Sequence, residues 1–291
     1  MVWRAFAARA ALPLATVAPL LFASRAARSD AIVEAADGPA PPTKGKRKAE
    51  IPEYFEPKLP YPAWDTDWDG LRHTRAKRKD GPPAPTRHVL LIRHGQYDES
   101  SREDARRILT PLGRDQAVAT GLRLSELINS GAPGSRIRIQ SSGLARAIET
   151  AALIEPHLPD RTEALPPDGD LNEGRPAQVI PGRAYSNAAV RADGSRIEAA
   201  FKKIFKRAEP RADGGLHEYD VVVCHGNVIR YMALRALQLP PEAWLRLCTF
   251  NCSITYLVIR PSGSVSMRAL GDVGHLDPPL VTFSMHHGIE W

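Results

Sequence analysis

The chain has 291 residues, 43% of them hydrophobic and 25% charged, the balance of a globular protein with enough apolar side chain to bury a sizeable core. Its formal net charge of +6 is uneven: residues 1–85 carry 14 Lys and Arg against 10 Asp and Glu, whereas residues 86–291 carry 25 against 23. A near-neutral body argues against nucleic acid as a partner, and three cysteines, Cys224, Cys248 and Cys252, supply neither a disulfide framework nor a zinc pattern, so no metal or cofactor is expected.

The first thirty residues contain Arg4, Arg9, Arg25 and Arg28 and no acid before Asp30. Such an Arg-rich, Ala- and Ser-rich, acid-poor start has the signature of a mitochondrial presequence. Its apolar run, 10–24, is interrupted by Pro13 and Pro19. As a helix it would span about 22 Å, short of a hydrocarbon core of about 30 Å. Residues 1–30 are therefore expected to be a mitochondrial address that can also anchor the chain to a membrane, ahead of a cleaved presequence or a secretory signal. Residues 31–85 read as a linker, because stretches such as GPAPPTK and GPPAPT cannot make helices or central strands. The basic clusters KGKRK (44–48) and RAKRK (75–79) fit a solvated tail. One island, WDTDWDG (64–70), is poorly explained as spacer, since large aromatics cost solubility unless they dock. Trp64, Asp65, Trp68 and Asp69 are expected to dock on the chain's own body or on another subunit.

From residue 86 the pattern alternates. HVLLIRH (88–94) reads as a buried strand, and Thr110 and Pro111 cap a helix over TPLGRDQAVATGLRLSELINS (110–130). RIRIQSS (136–142) alternates as a strand and opens into the helix GLARAIETAALIEPHL (143–158). SRIEAAFKKIFKRAE (195–209) is an amphipathic helix, YDVVVCH (219–225) a second buried strand, and NVIRYMALRAL (227–237) the helix after it. SITYLVIRP and SVSMRAL read as a closing hairpin around PSG. Buried strands alternating with helices predict an α/β fold of three layers, a mostly parallel central sheet with helices on both faces. In such sheets ligands bind outside the carboxyl ends of the strands.

Chemistry-bearing residues stand at those ends. Arg93, His94 and Gly95 close the first strand, and His225 and Gly226 close the later one. Each glycine is expected to let backbone and ligand approach closely. Arg146 lies in the first turn of the helix after the strand RIRIQSS, at an end that favours anions. Two guanidiniums suit the oxygens of a phosphate, and a neutral imidazole can attack phosphorus and carry the phosphoryl group. The leaving oxygen needs a proton donor. Glu173, in the loop DLNEGRP, is the candidate.

The ordered set RHG, SSGLARAIETA, LNEG and CHGNVIR resembles the histidine phosphatase superfamily, with the phosphoglycerate mutase-like fold, over about 86–275. The resemblance implies that His94 is the nucleophile, that Arg93, Arg146 and His225 hold the phosphate, that Glu173 is the acid and base, and that no metal takes part. Gln96, Tyr97 and Asp98 follow the nucleophile where mutases have a Ser and a Trp-Asn pair, which disfavours a mutase. With LIRHGQY, RIEAAF, ALQLPPEAWLRL and the WDTDWD island, the chain looks most like a mitochondrial serine/threonine-protein phosphatase branch. In that branch the WDxxWD stretch drives oligomerisation and activates the enzyme, and the N-terminus anchors in a mitochondrial membrane. The likeness implies phosphoprotein substrates, a homo-oligomer through residues 64–69, membrane association and no nucleic acid. The alternatives are a small-molecule phosphomonoesterase of the same superfamily and an assembly scaffold with incidental catalysis. Residues 276–291 have no reading from sequence.

Overall fold

The run VLLI (89–92) forms the middle of β1, Thr86–Arg93, which lies inside a six-stranded sheet. The computed structural model describes residues 64–72, 84–130, 134–180 and 187–283. After β1 come α1 (Pro111–Asn129), β2 (Arg136–Ser141), α2 (Ala145–Ile154), the two-residue β3 (Glu163–Ala164), α3 (Asn187–Ile204), β4 (His217–Cys224), α4 (Gly226–Ala236), β5 (Ile254–Ile259) and β6 (Val265–Asp272). The strand order is β3-β2-β4-β1-β5-β6, with parallel pairing from β3 to β1 and β5 antiparallel to both β1 and β6.

Strand periodicity explains the unbroken apolar runs. Val89 and Leu91 of β1, with Val222 and Cys224 of β4, pack on one face against Ile197 and Phe201 of α3 and Val228 and Met232 of α4. Leu90 and Ile92, with Val221 and Val223, pack on the other against Leu124 and Ile128 of α1 and Ala147 and Ile154 of α2. Both faces are covered, so both sets must be apolar. Each fully buried aliphatic side chain stabilises the fold by about 1.5–3 kcal/mol relative to exposure. This is the three-layer α/β architecture expected.

Local signals placed most of the elements. Thr110 caps α1, its Oγ1 accepting from Gly113 N–H at 3.0 Å, and Pro111 occupies the first helical position. The helix expected over 195–209 instead spans Asn187–Ile204. It runs through Gly194, where a Cβ would stand 2.7 Å from the Pro176 carbonyl oxygen, so glycine lets the helix lie against that loop. It stops at Ile204 because Arg87 Nη1 takes the Ile204 carbonyl at 3.1 Å and Asp69 Oδ2 takes the Arg207 N–H at 2.8 Å. Neither partner is visible in the local sequence.

The island WDTDWDG is seated on the chain's own body. Trp68 packs against the core of the α3/α4 face and donates its indole N–H to the Gly263 carbonyl at 2.8 Å, in the β5–β6 turn. Asp69 pairs with Arg207 at 3.0 Å with both side chains 2% exposed. Asp65 exchanges two bonds with Gln238, its N–H donating at 2.8 Å and its carbonyl accepting at 2.9 Å. Trp64 is 38% exposed. Among the described residues no helix is long and apolar enough to cross a membrane. The expected address and anchor, 1–30, lies outside the described residues, as does most of the linker.

At the amino end of β1, opposite to the His94 edge, His88 is buried among four strands. It stacks on Tyr219 with ring centroids 4.4 Å apart and bonds Tyr256 Oη at 2.7 Å and His217 Nδ1 at 2.9 Å. Arg268 donates to Tyr256 Oη at 3.1 Å, which ties this cluster to β6. Burial, then His217, then Arg268 hold His88 down to about 4. The folded chain therefore keeps His88 neutral while the unfolded chain protonates it near 6.5. Stability is full above 6.5 and is lost as pH falls from 6.5 toward about 4. Urea unfolding midpoints across that window are expected to decline in the wild type, and to decline less steeply in His88→Gln.

Candidate active site

Three parallel strands end at one level. Arg93 of β1 is in register with Cys224 of β4, and Val223 of β4 with Ser141 of β2. His94, His225 and Ser142 are thus each the first residue past a strand. The ladder continues one step, His94 N–H donating to Cys224 O at 3.0 Å and Ser142 N–H to Val223 O at 2.9 Å. The two imidazoles lie with centroids 5.1 Å apart. Arg146, at the start of α2, reaches both: its Nε is 3.3 Å from His94 Nε2 and its Nη2 is 3.4 Å from His225 Nδ1. Arg93 turns back under the site, donating from Nη1 to the Thr249 carbonyl at 2.7 Å.

The hydrogen bonds fix the tautomers. His94 Nδ1 donates to the Gly95 carbonyl at 2.8 Å, which leaves the lone pair on Nε2. Arg146 can only donate, so His225 Nδ1 accepts and His225 Nε2–H donates to Ser142 Oγ at 2.7 Å. Burial, then Arg93, then Arg146 hold His94 well below the usual imidazole range, and burial, His94 and Arg146 do the same for His225. Both rings are neutral at physiological pH. Burial also lowers Arg93, to about 10, and Arg146. These cations stay charged while lacking water, so a dianion arriving between them restores the solvation they gave up.

Glu173 arrives from the long loop between β3 and α3. Its Oε1 accepts from Gly174 N–H at 3.0 Å and its Oε2 faces Asn227 N–H at 3.5 Å, at the start of α4. Burial raises its carboxyl, more than these amides, Arg93 and Arg146 lower it. A carboxyl whose charged form is disfavoured by burial, beside two guanidiniums and two imidazoles, is suited to donate a proton. The loop is clasped by Arg196 of α3, whose Nη1 donates to the carbonyls of Gly169 (3.1 Å), Asp170 (3.0 Å) and Asn172 (2.7 Å), and whose Nη2 donates to Glu173 O at 3.3 Å. Asn172 Oδ1 then ties the loop to Gly143 N–H at 2.8 Å.

All five predicted pocket residues, Arg93, His94, Arg146, Glu173 and His225, converge on this edge. The expected role of the glycines needs correction. A Cβ at Gly95 would stand 2.5 Å from the Gly113 carbonyl oxygen, so Gly95 admits the start of α1 and not a ligand. At Gly226 a Cβ would meet Thr249 Oγ1 at 3.2 Å. Supporting residues were missed. Asp104 accepts from Ala145 N–H at 2.9 Å and from Arg146 Nη1 at 3.3 Å, capping α2 and steering its arginine. Asn251 Nδ2 holds the His94 carbonyl at 3.1 Å. Tyr97 lies edge-on to His94 with centroids 5.1 Å apart and under Arg146 at 4.8 Å. Asp104, Arg196 and Asn251 act across 42, 24 and 157 residues of chain, beyond any local signal; Ser142, next to a predicted strand end, could have been noticed.

Residues 89–271 match the histidine phosphatase superfamily (branch 1). The chain is 41% identical over 239 residues to "Serine/threonine-protein phosphatase PGAM5, mitochondrial" of Xenopus tropicalis, covering 75% of this chain and 82% of that protein. It is 40% identical over 260 residues to the Homo sapiens protein of the same name, covering 82% and 86%. Among solved structures it is similar to a Plasmodium falciparum phosphoglycerate mutase, with 32% identity, a TM-score of 0.45, and coverage of 71% of this chain and 99% of that one.

The clasp on the Glu173 loop predicts a split between chemistry and binding. With Glu173 in its expected role of general acid, Arg196→Ala is expected to lower kcat for an alkyl phosphate about tenfold or more, since misplacing a general acid forfeits much of its contribution. Inhibition by inorganic phosphate, which reads Arg93, Arg146 and the histidines, is expected to stay within about twofold of wild type. Equal losses in both would mean that Arg196 serves the fold alone.

Proposed function

The chain belongs to the histidine phosphatase superfamily, and we propose that it is a mitochondrial serine/threonine-protein phosphatase that works through a phosphohistidine on His94 and is activated by self-assembly. One observation carries the chemistry: His94 is neutral, with its lone pair on Nε2, where Arg146 and His225 meet, and the Glu173 carboxyl interacts with Arg93 and Arg146 of the same site. The substrate class and compartment are supported by the relatives at 41% and 40% identity, both named as mitochondrial serine/threonine-protein phosphatases.

In the first step a phosphate dianion takes the Arg146 guanidinium, which releases the His94 Nε2 lone pair from its contact at 3.3 Å. Nε2 attacks phosphorus, the P–O bond to the serine or threonine breaks, and Glu173 gives its proton to the departing oxygen. Arg93, Arg146 and His225 stabilise the charge spread over the transferring oxygens. In the second step the Glu173 carboxylate takes a proton from water, whose oxygen attacks phosphorus as the P–N bond breaks. Inorganic phosphate leaves, and His94 is neutral again. No step calls for a metal. Because burial and the two arginines hold His94 well below 6.5, its protonation limits activity only below that pH.

The assembly reading rests on WDTDWDG. An arm that seats Trp68 and Asp69 on its own body can seat them on the same surface of a second copy, the ordinary route to a swapped contact. The eleven residues 73–83 reach up to about 36–40 Å when extended, enough for either. The dock bears on catalysis: Asp69 pairs with Arg207 just past the end of α3, and α3 carries Arg196, which clasps the Glu173 loop. Arm docking thereby steadies the helix that holds the acid. Residues 1–30 are proposed to bring the protein to a mitochondrial membrane.

Two experiments test these readings. Acid-labile, alkali-stable label from a phosphoserine peptide is expected on His94 in an alkaline quench, and His94→Ala is expected to lose both the label and turnover, the latter by about a thousandfold or more. Turnover in the wild type without a phosphohistidine would sink the mechanism. For the arm, Trp68→Ala is expected to shift light-scattering mass to smaller species and to lower kcat together; if mass and kcat both stay at wild-type values, the arm has no role in assembly or activation.

A further inference from the structure

Beside the phosphate pocket lies a groove that the chemistry above does not use. It encloses about 600 Å³ and is lined by segment 96–99, segment 108–111 with Arg114, Asn251, and Thr282 with Phe283. Tyr97 joins it to the active site, since that ring stands edge-on to His94. The groove is built, not incidental. Segment 96–98 is bonded to segment 108–110: Asp98 N–H donates to Ile108 O at 2.8 Å and Thr110 N–H to Gln96 O at 3.0 Å. The opposite wall is the chain's C-terminal strap. Gln116, wholly buried, donates from Nε2 to Leu280 O at 2.6 Å and to Thr282 Oγ1 at 2.8 Å, while its Oε1 accepts from Gln96 N–H at 2.8 Å. Thr282 Oγ1 donates to Asn251 Oδ1 at 3.0 Å, and Asn251 holds the His94 carbonyl. Phe283 lies against Phe250 with centroids 5.2 Å apart and under the Arg93 guanidinium at 5.9 Å.

The lining has a definite chemistry. Ile108 and Phe283 are exposed apolar side chains, 45% and 39% accessible, on its two walls. Asp98 and Glu99 are exposed carboxylates on the rim, and Asp98 is held below the usual carboxylate range by the Ser100 N–H and hydroxyl. Three basic groups nearby are engaged, with Arg114 paired to Glu149 at 2.7 Å, Arg107 donating to Tyr97 Oη at 2.9 Å and Arg106 paired to Glu103 at 3.0 Å, and Arg102 is exposed in the segment that follows Glu99. The phosphate pocket is cationic, and the groove leading from it is apolar with an anionic rim.

Resting on the protein-phosphatase reading, we propose that this groove binds the polypeptide flanking the phosphoresidue and that Asp98 and Glu99 select substrates with a lysine or arginine beside it. An alkyl stem with a cationic head fits such a groove: the methylenes lie on Phe283 or Ile108 and the charge meets the rim. The strap 276–283 is then a substrate-binding wall.

The test compares kcat/KM for two phosphoserine peptides of equal length, one with lysines and one with glutamates at the positions flanking the phosphoserine, with p-nitrophenyl phosphate as normalising substrate. Wild type is expected to prefer the lysine peptide about fivefold at low salt, the scale of two partly exposed charge pairs, and less at high salt. In D98N/E99Q the ratio is expected to fall to about two or below. Phe283→Ala is expected to raise KM for both peptides and leave their ratio unchanged. Equal use of both peptides by the wild type, an unchanged ratio in D98N/E99Q, or unchanged peptide KM in Phe283→Ala would overturn the groove while leaving the protein-phosphatase reading intact. Turnover of p-nitrophenyl phosphate with neither peptide hydrolysed would overturn both.

Discussion

The backbone ladder joining β2, β4 and β1 is the constraint on which the site depends. Parallel pairing in fixed register brings Ser142, His225 and His94 past the sheet edge together. A one-residue slip in β1 would exchange Leu90 and Ile92 with Val89 and Leu91 between the two faces and withdraw His94 from the pocket. Packing on both faces opposes that slip. The hydrophobic core and the catalytic geometry are thus specified by the same contacts.

Electrostatics adds the second layer. Two guanidiniums, two imidazoles and a carboxyl gathered out of water would be costly if all were charged. The structure resolves this by letting burial and mutual repulsion keep both histidines neutral, and by letting burial raise Glu173. That resolution suits the mechanism proposed above: a neutral His94 has a lone pair for phosphorus, and burial, which disfavours the charged form of Glu173, favours its giving a proton to the leaving group. The supporting bonds, Gly95 O to His94 Nδ1 and Ser142 Oγ to His225 Nε2, select the tautomers this state needs.

The sequence revealed the parts carried by local pattern. Unbroken apolar runs marked β1 and β4 and alternation marked β2, Thr110 and Pro111 marked the start of α1, and the residue types at the strand ends and the helix start marked His94, His225 and Arg146. What stayed hidden depends on contacts across the chain. The early start of α3 rests on Gly194 meeting Pro176, and its end rests on Arg87 and Asp69, residues more than a hundred positions away. Gly95 read as room for a ligand because ligand and helix leave the same trace in a sequence, a glycine after a strand. The strap 276–283 has no periodicity and is held by three side chains, Gln116, Asn251 and Thr282, so it carried no signal.

The matched family region ends at residue 271 and begins at 89, yet both flanking segments touch working parts. The arm 64–70 ties to Arg207, next to the helix that clasps the Glu173 loop; the strap ties to Asn251, which holds the His94 carbonyl. These ties are separate: one bears on Glu173 and the other on His94. On the mechanism proposed above, a change in the arm acts on proton donation, and most strongly where the leaving oxygen is a poor one. A change in the strap acts on the nucleophile and on what lies beside it, whatever the leaving group. The matched region carries the proposed phosphate pocket, and the segments outside it supply two separate handles on it.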